Sequence, residues 1–194
     1  MGRKLILSTS DLGEKVAKML IEKLKDEDIG VLISATAATL DCARLYPSLF
    51  IEAIPSLYKL LDSKNNWLVI KALQVLCALL ETEKRLFSKL GEKILDILET
   101  TKALSVELEI HKQVVKHFSG VPEMIAKTKS KLANYIENSD PNIRYTGMLV
   151  LKQLLKKNND LLIIYKDKLV KLFVSGDNAI KTRTLEVISE NVTY

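Results

Sequence analysis

The sequence predicts an all-α fold, an α-solenoid of about five helix pairs with a repeat of about 37 residues, and three observations carry that expectation. A five-residue signature recurs as Val31-Leu-Ile-Ser-Ala35, Leu68-Val-Ile-Lys-Ala72, Ile143-Arg-Tyr-Thr-Gly147 and Ile180-Lys-Thr-Arg-Thr184. Its first residues are separated by 37, 75 and 37 positions, so the middle gap holds two periods and a degenerate copy falls near Ser105. The composition points the same way: 47% hydrophobic but only 6% aromatic, with seven glycines and four prolines in 194 residues. Few helix breakers and few strand-forming aromatics suit helices better than sheets. Finally, polar turn positions keep the same beat at Asp28, Asn65, Lys102, Asp140 and Asp177. Such residues suit the free amides at the start of a following helix.

The elements follow in order. Asp11 to about Lys25 reads as a helix with Val16, Met19, Leu20, Lys23 and Leu24 on one stripe. Asp28 caps a second, from Ile29 to about Leu45, with Val31, Ala35, Ala38, Cys42 and Leu45 at helical spacing. Tyr46-Pro47 breaks it. The next carries Phe50, Ala53, Ile54, Leu57, Leu60 and Leu61, and Pro55 either kinks it or marks where the regular helix begins. Trp67 to about Leu80 and Thr82 or Glu83 to about Leu98 repeat the pair. Thr101 caps a helix to Phe118, which Ser119-Gly120 ends. Pro122 opens one to about Glu137, residues 141–157 and 160–174 form the next two, and Asp177-Asn178 lead into the last. The reading is five first helices and five second helices in one segment, residues 1–194, with residues 1–10 expected to be flexible or foreign to the array. Unaccompanied helices at both ends suggest an internal piece of a longer array.

Chemistry-bearing motifs are scarce. The sequence has no glycine-rich phosphate loop, no His-Glu-x-x-His and no Cys-x-x-Cys. The reading therefore assigns no catalytic, metal or cofactor residue. His111 and His117 are six residues apart and do not share the i, i+4 face of a helical metal site. His111 belongs instead to the series Leu104, Leu108, His111, Val115, Phe118 and is expected to be a satisfied core histidine. Glu81, Glu83, Glu107 and Glu109 read as solubility features of helix surfaces. Trp67, the sole tryptophan, is expected to pack between helix pairs rather than to act as a binding anchor. Cys42 and Cys77 read as small buried thiols of a reducing compartment. No apolar run approaches the ~18 residues of a membrane span, and the N-terminal run is too short for a signal peptide.

Net charge is +5, and its distribution is uneven. Residues 1–100 hold 14 basic and 14 acidic side chains, whereas residues 141–194 hold 9 and 5. Lys152, Lys156, Lys157, Lys166, Lys168 and Lys171 supply most of the excess and are the candidate partner-binding residues. A basic end of this kind can meet anionic lipid, nucleic acid or an acidic partner, although such lysines are more often only the solvated faces of helices.

The run Ile54-Pro-Ser-Leu57-Tyr-Lys-Leu-Leu61-Asp62, followed by Leu68 and Ala72, resembles the HEAT-repeat consensus. With Asp26-Glu-Asp-Ile-Gly-Val31, Lys64-Asn-Asn-Trp67-Leu-Val-Ile-Lys71, Glu137-Asn-Ser-Asp140-Pro-Asn-Ile-Arg144-Tyr145 and Asp177-Asn-Ala-Ile-Lys181-Thr-Arg183-Thr-Leu185, the chain resembles the trunk of an adaptin large subunit over residues 15–194. The Asn-Asn-Trp run is most like the delta type of adaptor-protein complex 3. Leu108-Glu109 departs from the Tyr-Glu usual in the family. The resemblance implies a non-catalytic scaffold in a heterotetrameric vesicle-coat adaptor, with small sigma, medium mu and large beta subunits as partners. It also implies a cytoplasmic location, peripheral on Golgi and endosomal membranes and vesicle coats, in cargo sorting to lysosome-like or vacuolar compartments. No cofactor, small-molecule substrate or nucleic acid is implied.

Two other classes share the repeat architecture. One is another HEAT-type transport scaffold, of the coatomer or import-receptor kind, although import receptors present acidic inner surfaces. The other is a HEAT-like DNA glycosylase, which needs a basic groove along the phosphates and an acidic catalytic group. Here the basic excess is confined to one end, and no aromatic cluster accompanies it.

Overall fold

The structure is a computed structural model that describes residues 10–156 and 160–191. Among the described residues there are ten α-helices and one 3₁₀ helix, and no strand. The first helices of the pairs are α2 (Ile29–Ala43), α4 (Asn66–Leu79), α6 (Leu104–His117), α8 (Pro141–Leu155) and α10 (Asn178–Asn191). The second helices are α1 (Ser10–Lys23), η1 (Pro47–Ala53) continuing as α3 (Ile54–Leu60), α5 (Leu86–Thr100), α7 (Pro122–Ile136) and α9 (Asp160–Ser175). First helices begin at residues 29, 66, 104, 141 and 178, in steps of 37, 38, 37 and 37. The five-and-five parse therefore holds, and the one long step moves the degenerate signature copy from Ser105 to Val106. Val106 and Ile110 are buried while Ser105 is exposed.

Caps explain why the helices start where they do. Asp28 accepts from Val31 N at 2.9 Å, and Asn65 accepts from Trp67 N and Leu68 N. Asp140 accepts from Asn142 N and Asp177 from Ile180 N. Each bond satisfies an amide that the helix itself cannot, worth about 1 kcal/mol. Lys102 breaks the series because its side chain has no acceptor. Thr101 Oγ1 takes the Ala103 amide there instead, and the helix starts at Leu104. Pro55 lies in the first turn of α3, where its missing N–H costs nothing, and the preceding 3₁₀ turn carries the buried Phe50 and Ala53. Of the expected stripe on α1, Val16, Leu20 and Leu24 are buried and Met19 is exposed.

The helices group into two compact units, residues 1–110 and 111–194. In the first, α2 packs on α4 and on α1, and α3 packs on α4. Leu68, Ala72, Leu73, Leu76 and Cys77 of α4 are each at most 1% exposed. In the second, α8 lies between α7 and α10. Its Met148, Val150, Leu151 and Leu155 form a core with Leu132 and Ile136 of α7, Leu161, Tyr165 and Leu169 of α9, and Val187 of α10. In the four clear copies the fifth residue is small or short and buried, as Ala35, Ala72, Gly147 and Thr184. At Gly147 an added Cβ would stand 2.8 Å from Tyr135 Cβ, so only glycine lets α8 rest this near α7.

Candidate functional site

Several single-residue expectations can be placed at once. His111 is buried, and its Nδ1 lies 2.8 Å from Thr128 Oγ1. Thr128 spends its only hydrogen on Met124 O at 2.9 Å, so it receives rather than gives, and His111 must carry its proton on Nδ1. Leu108, Val115 and Phe118 are buried beside it in sequence, while Leu104 is only half-buried. Cys42 and Cys77 are both buried and form no disulfide.

Two expectations are corrected. Glu109 is buried, not a surface charge, because α6 is covered on more than one side: Val106, Leu108, Ile110, Val114 and Val115 are buried with it. Trp67 is 39% exposed rather than packed between pairs. It stands in the first turn of α4, one residue before the inward-facing Leu68 and Val69, and Lys71 Nζ sits 5.2 Å from its ring centroid. That geometry is a surface cation–π contact.

Of the six candidate lysines, the five described, Lys152, Lys156, Lys166, Lys168 and Lys171, do not gather on one site. Lys152 is committed to α10, with Glu190 at 2.7 Å and Glu186 at 3.4 Å, and only 17% of its side chain is exposed. These carboxylates raise its pKa above the ordinary lysine value, Glu190 contributing most, and Lys152 in turn lowers that of Glu190. Lys156 is exposed and its charge also reaches Glu190. Lys166 lines an apolar groove of about 300 Å³ with Leu162, Ile163, Leu169, Val170 and Ile188. Lys168 pairs with Glu137 at 2.8 Å, and Lys171 lies in the same carboxylate's field. Lys157 lies outside the described residues.

Two further features escaped the sequence reading. One is the exposed apolar surface of α9 and α10: Ile163, Ile164, Val170, Phe173 and Val174, with Leu185. Of these, Ile163 and Val170 line one apolar groove with Leu162, Leu169 and Ile188, and exposed apolar surface of this kind marks protein contacts. Helical spacing shows that a residue is apolar without showing which face is left uncovered. The other is Arg144, whose Nη1 donates to the carbonyls of Asn138 at 2.9 Å and Ser139 at 3.1 Å. A signal for it existed, because the second signature position is Leu32, Val69, Arg144 and Lys181 in turn. On the first helices nearby, Arg183 stacks 4.8 Å from the centroid of Tyr145, donates to its hydroxyl and pairs with Glu186. Among the described residues no three His, Cys, Asp or Glu side chains converge, and no helix is long and apolar enough to cross a membrane.

Comparison with known proteins matches residues 2–193 to the adaptin N terminal region. The AP-3 complex subunit delta of Schizosaccharomyces pombe is 31% identical over 179 residues, 89% of this chain and 22% of that protein. AP-3 complex subunit delta-1 of Bos taurus is 31% identical over 177 residues, 87% of this chain and 15% of that protein. The chain thus spans about a fifth or less of the length of these curated relatives. In three dimensions it is similar to a chain of a homology model of the full-length AP-3 complex in an intermediate open conformation. That likeness has a TM-score of 0.69 at 26% identity, over 99% of this chain and 34% of the other. A designed armadillo repeat protein in complex with the peptide (KR)4 superposes with a TM-score of 0.65 at 17% identity, over 98% of this chain and 85% of that one, a likeness of fold alone. The fold is therefore all-α and of the armadillo/HEAT solenoid class.

Proposed function

The chain belongs to the adaptin N-terminal-region family, and we propose that it is a trunk segment of a delta-type large subunit in a heterotetrameric vesicle-coat adaptor. The observation that carries this reading is the match to AP-3 delta subunits over 87–89% of the chain. The segment's work is mechanical. Its stacked pairs bury their cores locally, as repeat proteins do, and leave side faces free to hold other chains. The partners are the small sigma, medium mu and large beta subunits. The process served is cargo sorting from Golgi and endosomes towards lysosome-like or vacuolar compartments, from a cytoplasmic, membrane-peripheral position.

The segment's role is that of a scaffold. The buried histidine is fixed to a threonine hydroxyl, and Lys152 and Lys168 are engaged with carboxylates. Contact with partners runs through the exposed apolar surface of α9 and α10 and through the lysines beside it, Lys156, Lys166, Lys168 and Lys171. A duplex-DNA function finds no support in this arrangement, since the cations face separate carboxylates rather than one continuous track.

Co-expression of this chain with the sigma-type small subunit from the same source tests the proposal. One stoichiometric peak on size exclusion supports it. A folded chain that elutes alone, and instead retards duplex DNA at low salt, contradicts it.

A further inference from the structure

Three surface grooves recur at the period of the repeat. The first holds Leu24, Lys25, Leu32, Ser56, Lys59 and Leu60 in about 410 Å³. Moving 37 residues along carries these onto Leu61, Asp62, Val69, Lys93, Asp96 and Ile97, which line a second groove of about 250 Å³. Moving a further 75 carries them onto Ile136, Glu137, Arg144, Lys168, Lys171 and Leu172, which line a third, also about 250 Å³. The apolar floor is kept in all three: Leu24 and Leu60, Leu61 and Ile97, Ile136 and Leu172. The charges above it are not kept.

In the second groove the cation is neutralised within the groove. Lys93 lies 2.7 Å from Asp62 and 3.2 Å from Asp96. In the third, Lys168 keeps the place of Lys93 and Glu137 that of Asp62, at 2.8 Å. Arg144 now stands where Val69 was, and Lys171 where Asp96 was. The lining of the third groove therefore carries Arg144, Lys168 and Lys171 together with Glu137. The first groove has Lys25 and Lys59 but Leu32 and Ser56 in place of Arg144 and Lys168, and its rim carries Asp26, bound to Lys23.

The third groove is also ready to receive an acid. Arg144 is held in place through Nη1 by the two carbonyls after α7, while its Nε is shielded from solvent and has no acceptor in the structure. As a residue lining the groove, the Arg144 guanidinium is a natural complement of a carboxylate.

We propose that the groove of Ile136, Glu137, Arg144, Lys168 and Lys171 is a docking notch for an acidic segment of a protein partner, whose carboxylate seats between Arg144 and Lys171 while Glu137 retains Lys168. The inference deepens the reading of this chain as a protein-binding scaffold and rests on it. A protein segment fits better than an anionic membrane. The Lys168 side chain is only 34% exposed, and the half-exposed Glu137 stands at the notch, where it would repel a flat anionic surface. A peptide side chain can reach into the recess and place its own apolar portion on Ile136 and Leu172.

The test is an amide chemical-shift titration of the whole chain with a hexaglutamate peptide at low salt. It is repeated with Lys171→Asp and Arg144→Val, which install the residues of the second groove. The expected result is shifts confined to residues 136–144 and 168–172, with little at 61–69 or 93–97, and binding weakened about tenfold or more by Lys171→Asp, the loss of one charge-assisted pair with repulsion added. Arg144→Val also removes a tie to α7, so its thermal melt is compared first. Lys171 is exposed, and Lys171→Asp decides the matter alone if the other variant unfolds. No shifts, shifts spread over all the lysines, or shifts unchanged in Lys171→Asp overturn the proposal. So does binding to phosphatidylserine-containing vesicles through these residues when the peptide does not bind. A chain that assembles with adaptor subunits yet fails this titration loses the notch and keeps its proposed function.

Discussion

His111 of α6 donates from Nδ1 to Thr128 Oγ1 of α7 at 2.8 Å, and that hydroxyl donates on to Met124 O, closing a buried relay between consecutive helices. Removing the hydroxyl leaves the His111 N–H without its acceptor in a site closed to water. Thr128→Val is expected to lower stability by roughly 1–3 kcal/mol, while Thr128→Ser, which keeps the acceptor, loses much less. Urea unfolding of the two variants checks this, and equal losses would show that packing rather than the hydrogen bond matters at the site.

Gly147 gives a prediction of sign. In an exposed helix interior, glycine to alanine stabilises by about 1 kcal/mol. Here the new methyl would meet Tyr135 Cβ at 2.8 Å and the Ile136 backbone N at 3.2 Å. Gly147→Ala is therefore expected to destabilise, by about 1–3 kcal/mol for overpacking. A raised melting temperature would contradict the packing of α7 against α8.

Glu83 supplies the pH dependence. Its carboxylate accepts from Arg85 Nε, Nη2 and backbone N at 2.8, 2.8 and 3.1 Å. The Arg85 side-chain hydrogen bonds, ahead of the backbone one, lower its pKa to about 2. A carboxylate with a depressed folded-state pKa favours the folded chain at pH above its unfolded value. That contribution is lost as the pH falls from there through about 2. Carbon-13 titration should find the Glu83 midpoint near 2, and Arg85→Ala should return it towards the ordinary glutamate range. A midpoint that stays put in Arg85→Ala would sink the assignment.

Lys152 is expected to behave as a structural residue. Its ties to Glu186 and Glu190 join α8 to α10, so Lys152→Ala should lower the melting temperature, with a smaller effect in high salt. Lys166→Ala, in an exposed position, should leave melting unchanged. Parallel thermal melts at two salt concentrations separate the two, and equal behaviour of both variants would count against the helix-joining role.

The repeat was legible because it is written in residues whose chemistry acts locally. Asp28, Asn65, Asp140 and Asp177 cap their helices through bonds spanning two or three residues, so spacing alone locates them. His111 was legible because helical spacing put it among Leu108, Val115 and Phe118. What failed depends on which neighbour covers which face. Glu109 was read as a surface charge because spacing cannot show that α6 is enclosed on more than one side. Its place at a repeat junction predicts Trp67 between helix pairs, yet one helical position separates it from the inward Leu68 and leaves it exposed. The lysine-rich end looked like one patch in sequence, whereas Lys152 and Lys168 turn to carboxylates on different helices, Glu190 and Glu137. Arg144 could have been found by lining up the four signature copies, since it stands where Val69 and Leu32 stand.

A chimera tests the adaptor account most directly. The 173-residue matching stretch of the Saccharomyces cerevisiae AP-3 complex subunit delta, 29% identical, is replaced by the corresponding residues of this chain. Immunoprecipitation then asks whether the beta, mu and sigma subunits follow. All three are expected to co-precipitate with the chimera as with the parent subunit. A chimera that is stable and folded but brings down none of them would contradict it.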